Sequence, residues 1–295
     1  MNILVIGGTG TMGQLVIDRL LNMGHMVTCF SRDEQKQRSL PAHHNLSCVI
    51  GDIRDYDSVY DAMEYNFHVV INLAALKCVD TVEANPVESI RTNIIGVQNV
   101  VRACSRTSLP KLIFTSTDKA CYPINVYGQC KAIAEKLVHD YNGSSTVFRY
   151  GNVLGSRGSV LSAFVKTILE KAEANITDMN MTRFWVRSDE IADEIVRCAD
   201  NNIDETNLQV KLSKSMRVVD VAQAVGHELG LSAIVFKDIG IRPGEKIHET
   251  LVTVHDGLNG MMRNVESNTH ARYEMDEFRE LIRPSIVKIR KELKL

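Results

Sequence analysis

Short apolar runs alternate with amphipathic stretches along the first half of the chain. Residues 2–6 form a continuous apolar run, too short for a buried helix and read as a buried strand. A glycine cluster follows, and then Leu15, Val16, Leu20 and Leu21 recur at helical spacing until Gly24 ends the pattern. The same rhythm predicts strands at 26–30, 46–50, 68–73, 111–115 and 146–149. The helices between them are predicted near 58–63, 93–104 and 127–141. Buried strands alternating with helices at this spacing predict an α/β fold, a Rossmann-type doubly wound parallel sheet.

After Tyr150 the rhythm changes. Residues 151–158 are glycine-rich, a helix is predicted near 160–171, and 175–185 reads as irregular. A helix at 188–199 and a strand at 208–212 restore the first pattern before it is lost again. The chain is therefore expected to form a main domain over 1–150, re-entered at 186–213. A smaller interleaved lobe is expected from 151–185 and 214–295, with no internal repeat or low-complexity linker.

Composition narrows the classes. The 295 residues are 44% hydrophobic and 24% charged, enough for one large domain or a domain with a smaller lobe. With a net charge of −2 and no run of five or more like charges, no broad surface for nucleic acid is expected. No apolar stretch reaches the ~18 residues of a membrane span, and the first residues carry no leader pattern, so a cytoplasmic protein without a membrane partner is expected. The seven cysteines never form a Cys-x-x-Cys pair and the histidines lack ligand spacing, so thiols are expected to be reduced and no metal is expected.

The first glycine cluster, Gly7-Gly8-Thr9-Gly10-Thr11-Met12-Gly13, lies between a strand and a helix. In that place glycines allow a tight turn and let a pyrophosphate approach backbone N–H groups at a helix amino terminus. At the end of the second strand, Ser31-Arg32-Asp33 occupies the position that reads the adenosine ribose. An arginine and a hydroxyl there suit a 2′-phosphate and favour NADP, while the adjacent Asp33 leaves a solvated loop arginine as the alternative. Asp52 follows the third strand, placed for an adenine amino group, and Ala74-Ala75 after the fourth strand leave room beneath a cofactor.

The densest chemistry lies at 115–131. Thr117, Asp118 and Lys119 sit at the carboxyl end of a predicted buried strand, where open α/β sheets bind ligands. Tyr127 and Lys131 follow one helical turn apart. Tyrosine ionises near pH ~10, and a neighbouring cation lowers that value toward neutrality. Tyr127 is thus a candidate general base tuned by Lys131, although Tyr-x-x-x-Lys also arises by chance in helices.

These motifs, together with Arg149-Tyr150-Gly151-Asn152-Val153-Leu154-Gly155-Ser156-Arg157, Met181-Thr182-Arg183-Phe184-Trp185 and Arg242-Pro243-Gly244-Glu245-Lys246, resemble those of extended short-chain dehydrogenase/reductases acting on nucleotide sugars. The resemblance runs to about residue 250 and is strongest to the inverting UDP-N-acetylglucosamine 4,6-dehydratases. It implies NADP held by Gly7, Gly10, Thr11, Met12, Gly13, Ser31, Arg32, Asp52, Ile53, Ala74, Ala75, Lys77 and Asn93, with Tyr127 and Lys131 beside it. It implies catalysis by Thr117, Asp118, Lys119, Tyr127 and Lys131, and a UDP-sugar bound by Lys77, Asn152, Arg157, Arg183, Arg242 and Glu245. A homo-oligomer is also expected. Cys121-Tyr122 departs from the family's usual small residue and asparagine before Pro123.

The implied reaction oxidises C4 of the sugar, removes the C5 proton, expels the C6 hydroxyl and returns hydrogen to C6. Tyr127 would take the C4 hydroxyl proton with Thr117 orienting that group, Asp118 would help the C6 hydroxyl leave, and Lys119, as a neutral amine, would take the C5 proton. Relatives that retain the C5 configuration carry glutamate at the position of Lys119. A retaining dehydratase, a 4-epimerase and a non-catalytic NADP-sensing regulator of the same fold remain as alternatives.

Overall fold

The computed structural model describes residues 1–156, 158–200, 208–256 and 264–293. The strands are β1 (Asn2–Ile6), β2 (Met26–Ser31), β3 (Leu46–Ile50), β4 (Val69–Asn72), β5 (Lys111–Thr115), β6 (Ser145–Arg149), β7 (Asn152–Val153), β8 (Glu173–Ile176), β9 (Thr182–Val186), β10 (Leu208–Val210), β11 (Ser215–Arg217), β12 (Val235–Asp238), β13 (Thr250–Val252) and β14 (Val265–Glu266). The chain divides into two compact units, Met1–Arg149 with Asp189–Val210, and Tyr150–Ser188 with Lys211–Leu295. Re-entry thus runs over 189–210, slightly inside the expected 186–213. Among the described residues no helix is long and apolar enough to cross a membrane.

In the first unit, seven parallel strands lie in the order β10-β6-β5-β4-β1-β2-β3. Helices cover the central strands, so β4 and β6 are buried along their whole length. At the edge, β3 has only half-buried and exposed residues. The strand order reverses at β1, which lies between β2 and β4, and this switch point opens the crevice where such sheets bind ligands. The helix Thr11–Asn22 buries Val16, Ile17, Leu20 and Leu21, and Gly24 leaves it at φ +78°.

The second unit has a core of its own, in which the helices Val160–Lys171, Val218–Glu228 and Met275–Leu293 pack with Trp185 and Phe278. The last helix contributes Phe278, Ile282, Ile286 and Ile289, an apolar stripe at helical spacing that gives the C-terminal stretch a core role. One expectation changes here. Residues 175–185 are not irregular, because β8 pairs with β12 and β9 pairs with β7 and β11. Met181 and Met216 do fill the core, at 3% and 4% exposure, but Met179 is 45% exposed.

Candidate active site

The glycine loop is dictated by contact. Gly7 has φ +81°, and a Cβ there would lie 2.9 Å from the Ala74 nitrogen, so only glycine lets β1 turn this close to the segment after β4. A Cβ on Gly13 would lie 2.6 Å from the Gly7 carbonyl oxygen, which explains the close seat of the helix on the loop. Gly10 is the N-cap of that helix and supplies no side-chain acceptor, so the N–H groups of its first turn, beginning at Thr11 and Met12, are not capped from that position. Gly7, Gly10, Ser31, Arg32, Asp52, Ile53, Ala74 and Ala75 all line one cleft of about 280 Å³.

Asp33, read in the sequence only as the neighbour of Arg32, and Lys36, missed there, line the same cleft. Asp33 caps the helix Glu34–Arg38 and pairs with Lys36 at 2.6 Å. Buried Gln37 donates to Ser31 Oγ at 3.0 Å, which leaves the serine O–H to donate elsewhere. Arg32 is 58% exposed and 3.6 Å from Asp52. Asp52 itself is gripped by Arg54, whose Nη2 and Nε reach it at 2.6 and 3.0 Å. Burial pushes the Asp52 carboxyl up, but the Arg54 guanidinium and backbone N–H outweigh it and leave the group below its ordinary range.

One expected cofactor contact turns inward. Asn93 is buried in a π-helical turn over Arg91–Ile95, accepting from the Leu76 N–H at 2.9 Å and donating to the Leu76 carbonyl at 2.8 Å. It braces the segment after β4 from beneath rather than facing outward. Lys77, one residue further on, is exposed.

The acid/base cluster forms at the end of β5. Asp118–Ala120 is a single 3₁₀ turn, so neighbouring side chains are brought together without help from distant sequence. Lys119 Nζ lies 3.0 Å from Asp118 Oδ1, and Thr117 Oγ1 donates to the same oxygen at 2.9 Å. Asp118 is fully buried, and its Oδ2 has no hydrogen-bond partner. Thr117 thus serves Asp118 directly, an arrangement beyond the expected role of orienting a substrate hydroxyl.

Tyr127 and Lys131 stand on the helix Val126–His139, capped by Asn125, whose side chain accepts from the Gly128 N–H at 2.7 Å. A Cβ on Gly128 would collide with the Lys119 carbonyl oxygen, so this glycine seats the helix against the 3₁₀ turn. Lys131 is 3% exposed; its Nζ donates to the Thr115 carbonyl at 2.7 Å and lies 4.3 Å from the Phe114 ring centroid. Desolvation lowers its pKa to about 7, against an opposing pull from Glu135. Burial therefore makes the charge that Lys131 lends Tyr127 conditional near neutral pH.

In the second unit, Arg242-Pro243-Gly244-Glu245 forms a tight turn, with Gly244 at φ +78° and the Glu245 N–H donating to the Arg242 carbonyl at 3.1 Å. Glu245 Oε1 lies 3.7 Å from Arg242 Nε, and Asn152 is half-buried on β7. Arg183 corrects its expectation. It is 7% exposed, and its guanidinium donates to the carbonyls of Thr182, Lys246 and Ile247 at 2.8, 2.8 and 3.1 Å. Met181 Sδ lies at 3.1 Å from Nη2, so the four N–H groups of its two terminal nitrogens are committed within the fold, and Nε faces Glu249 at 3.7 Å. Arg157 lies outside the described residues.

Residues 3–270 match the family described as "Polysaccharide biosynthesis protein". The chain belongs to that family. The inverting UDP-N-acetylglucosamine 4,6-dehydratase of Campylobacter jejuni is 38% identical, with 97% of this chain and 83% of the relative covered. The UDP-glucose 4-epimerase of Rickettsia typhi is 36% identical over 86% of this chain and 78% of its own. Among solved structures, Pen from Bacillus thuringiensis is 31% identical with a TM-score of 0.86, covering 96% of this chain and 97% of its own. The resemblance carried by the motifs and the parallel sheet carried by the fold thus point to one family.

Two further features of this family member sit beside the catalytic turn. Tyr122, where the resemblance leads one to expect asparagine, has φ +44° and is 48% exposed. That left-handed backbone suits asparagine and strains a tyrosine. Behind it, Glu135 and Arg149 form an ion pair at 2.6 Å with 6% and 7% side-chain exposure. In the sequence only the four-residue spacing from Lys131 to Glu135 hinted at a contact.

Proposed function

We propose that this protein is an NADP-dependent UDP-N-acetylglucosamine 4,6-dehydratase that inverts C5, releasing UDP-2-acetamido-2,6-dideoxy-L-arabino-hexos-4-ulose. The observation that carries the reading is the contact between Asp118 and Lys119 at 3.0 Å, one turn of chain from the Tyr127 helix. An ionised carboxylate with an ammonium and a neutral acid with an amine hold the same single proton. Transfer along this contact turns the first arrangement into the second, in which Asp118 donates to the departing C6 hydroxyl and Lys119 accepts the C5 proton. Asp118 Oδ2, buried and without a hydrogen-bond partner in the fold, is the oxygen left to carry the acid's proton.

The cleft between β1, β2 and β4 fits a dinucleotide, because the positive φ of Gly7 and the close approach of Ala74 leave a side-chain-free cradle at a helix amino terminus. Gly7, Gly10 and Gly13 would hold the pyrophosphate, and Ser31 and Arg32 the 2′-phosphate. A bound nicotinamide would supply the hydride chemistry between C4 and C6. Tyr127 takes the C4 hydroxyl proton, aided by the Lys131 charge. A charge-assisted bond to phosphate contributes about 1.5–3 kcal/mol, so Arg32→Ala is expected to weaken NADP by roughly tenfold or more and leave NAD little changed. Titration of both cofactors checks this, and equal wild-type affinity for the two would remove the NADP preference.

Arg242 and Glu245, presented on their tight turn, are assigned to the diphosphate and the ribose of the UDP-sugar. A contact remote from the reacting carbons binds ground and transition states alike, so Arg242→Ala is expected to raise KM with kcat nearly unchanged. Steady-state kinetics test this; a lost kcat at constant KM would take Arg242 out of the binding role. Self-association is part of the proposal.

A 4-epimerase is the second reading, favoured by the 36% identity to the Rickettsia enzyme. Epimerisation at C4 has no use for a buried acid and amine in contact, and for that reason the dehydratase is preferred. NMR of the product from UDP-N-acetylglucosamine separates them, because dehydration yields a C6 methyl group and epimerisation does not.

A further inference from the structure

The two halves of the acid/base machinery stand on different elements. Asp118 and Lys119 belong to the turn after β5, and Tyr127 and Lys131 to the next helix. Glu135 lies on the same helix, one turn beyond Lys131 and two beyond Tyr127. Its carboxylate accepts from Ser116 Oγ at 2.5 Å and from Arg149 Nε and Nη2 at 2.8 and 2.6 Å. Arg149, at the end of β6, uses its remaining terminal nitrogen to reach Cys121 Sγ at 3.2 Å. Ser116 and Cys121 are the two ends of the segment that carries Thr117, Asp118 and Lys119.

All four residues of this network are 2–6% exposed. An apolar pair would fill such space at lower desolvation cost, so the ion pair has to be explained by its directional bonds. Those bonds reach both ends of one short segment from the helix that carries the tyrosine.

We propose that Glu135 and Arg149 are positioning residues that register Asp118 and Lys119 against Tyr127 and Lys131, matching the proton transfers at C5 and C6 to oxidation at C4. The chemical part of this proposal rests on the dehydratase reading, and the geometric part does not.

Ser116→Ala and Cys121→Ala each release one end of the segment and leave the ion pair in place, so both variants are expected to fold. Amide hydrogen exchange over 117–121 in the protein without substrate is expected to quicken by ~tenfold or more in the double variant, with the sheet unaffected. Unchanged exchange would overturn the registration. Turnover is expected to fall about tenfold or more with KM nearly constant, because small misplacements of reacting groups are costly. In the same variant the isotope effect on kcat from C5-deuterated substrate should rise and that from C4-deuterated substrate should fall. Cys121→Ser, which keeps an acceptor, should recover most of the loss seen in Cys121→Ala. A uniform drop in rate with both isotope effects unchanged would mean that the network only supports the fold. If the wild type forms no dehydrated product, the functional reading fails, and the exchange experiment still decides the registration.

Discussion

UDP-N-acetylglucosamine deuterated at C4 is expected to give product deuterated at C6, with no reduced cofactor accumulating. In D2O the product is expected to carry deuterium at C5 in the inverted, L-arabino configuration. Both outcomes follow from the proposed roles of Tyr127 at C4, Asp118 at C6 and the exchangeable amine of Lys119 at C5. Lys119→Ala removes the group 3.0 Å from Asp118 and with it the path by which the pair's single proton reaches the acid. Turnover should fall ~10²-fold or more, the scale of a lost general base, while cofactor binding in the separate glycine-lined cleft persists. Product NMR and single-turnover kinetics check these points. Retention of the D configuration at C5 on first formation, or stoichiometric reduced cofactor, would sink the inverting dehydratase and leave a retaining enzyme or a simple dehydrogenase.

Lys131→Met is expected to stabilise the protein and to disable it. Lys131 is 3% exposed, and desolvation lowers its pKa from 10.5 to about 7. Between those values the unfolded chain binds more protons than the folded one, so the folded state gains stability as pH rises through the window. Below pH 7 the cost of burying the ammonium is present in full, and by about pH 10.5 it has faded. Methionine has the length but not the charge, so the variant should gain on the order of 1–4 kcal/mol near or below pH 7, less whatever the lost bond to the Thr115 carbonyl contributes. The advantage should shrink toward alkaline pH. Turnover should fall ~10²-fold or more, because Tyr127 loses the neighbouring charge that favours its phenolate. Urea unfolding at pH 6.5 and pH 9.5, with activity measured on the same samples, tests both halves; a variant less stable than wild type at the lower pH would show that the Lys131 hydrogen bond outweighs its desolvation.

Features set by neighbours in the chain were legible in the sequence. The alternation of buried strands and helices reflects side-chain periodicity alone, and it placed β1, β2, β3 and β5 within a residue of their observed ends. The glycine loop could be read because a left-handed turn and a close backbone approach leave few other residues able to occupy it. Asp118 and Lys119 meet because they share one 3₁₀ turn, and Tyr127 and Lys131 because they are one helical turn apart. Whatever depended on burial or on distant partners was decided by tertiary structure. An arginine has the same chemistry wherever it falls, and only packing sends Arg183 inward to hold backbone carbonyls while Arg242 stays 46% exposed on its turn. The short strands β8 and β9 escaped notice because they are stabilised by β12 and β11, remote in sequence, rather than by any local pattern. The pKa of Lys131 and the Glu135–Arg149 pair belong to the same class. Desolvation and a bond between residues 14 apart exist only once β5, β6 and the Val126–His139 helix have closed around them.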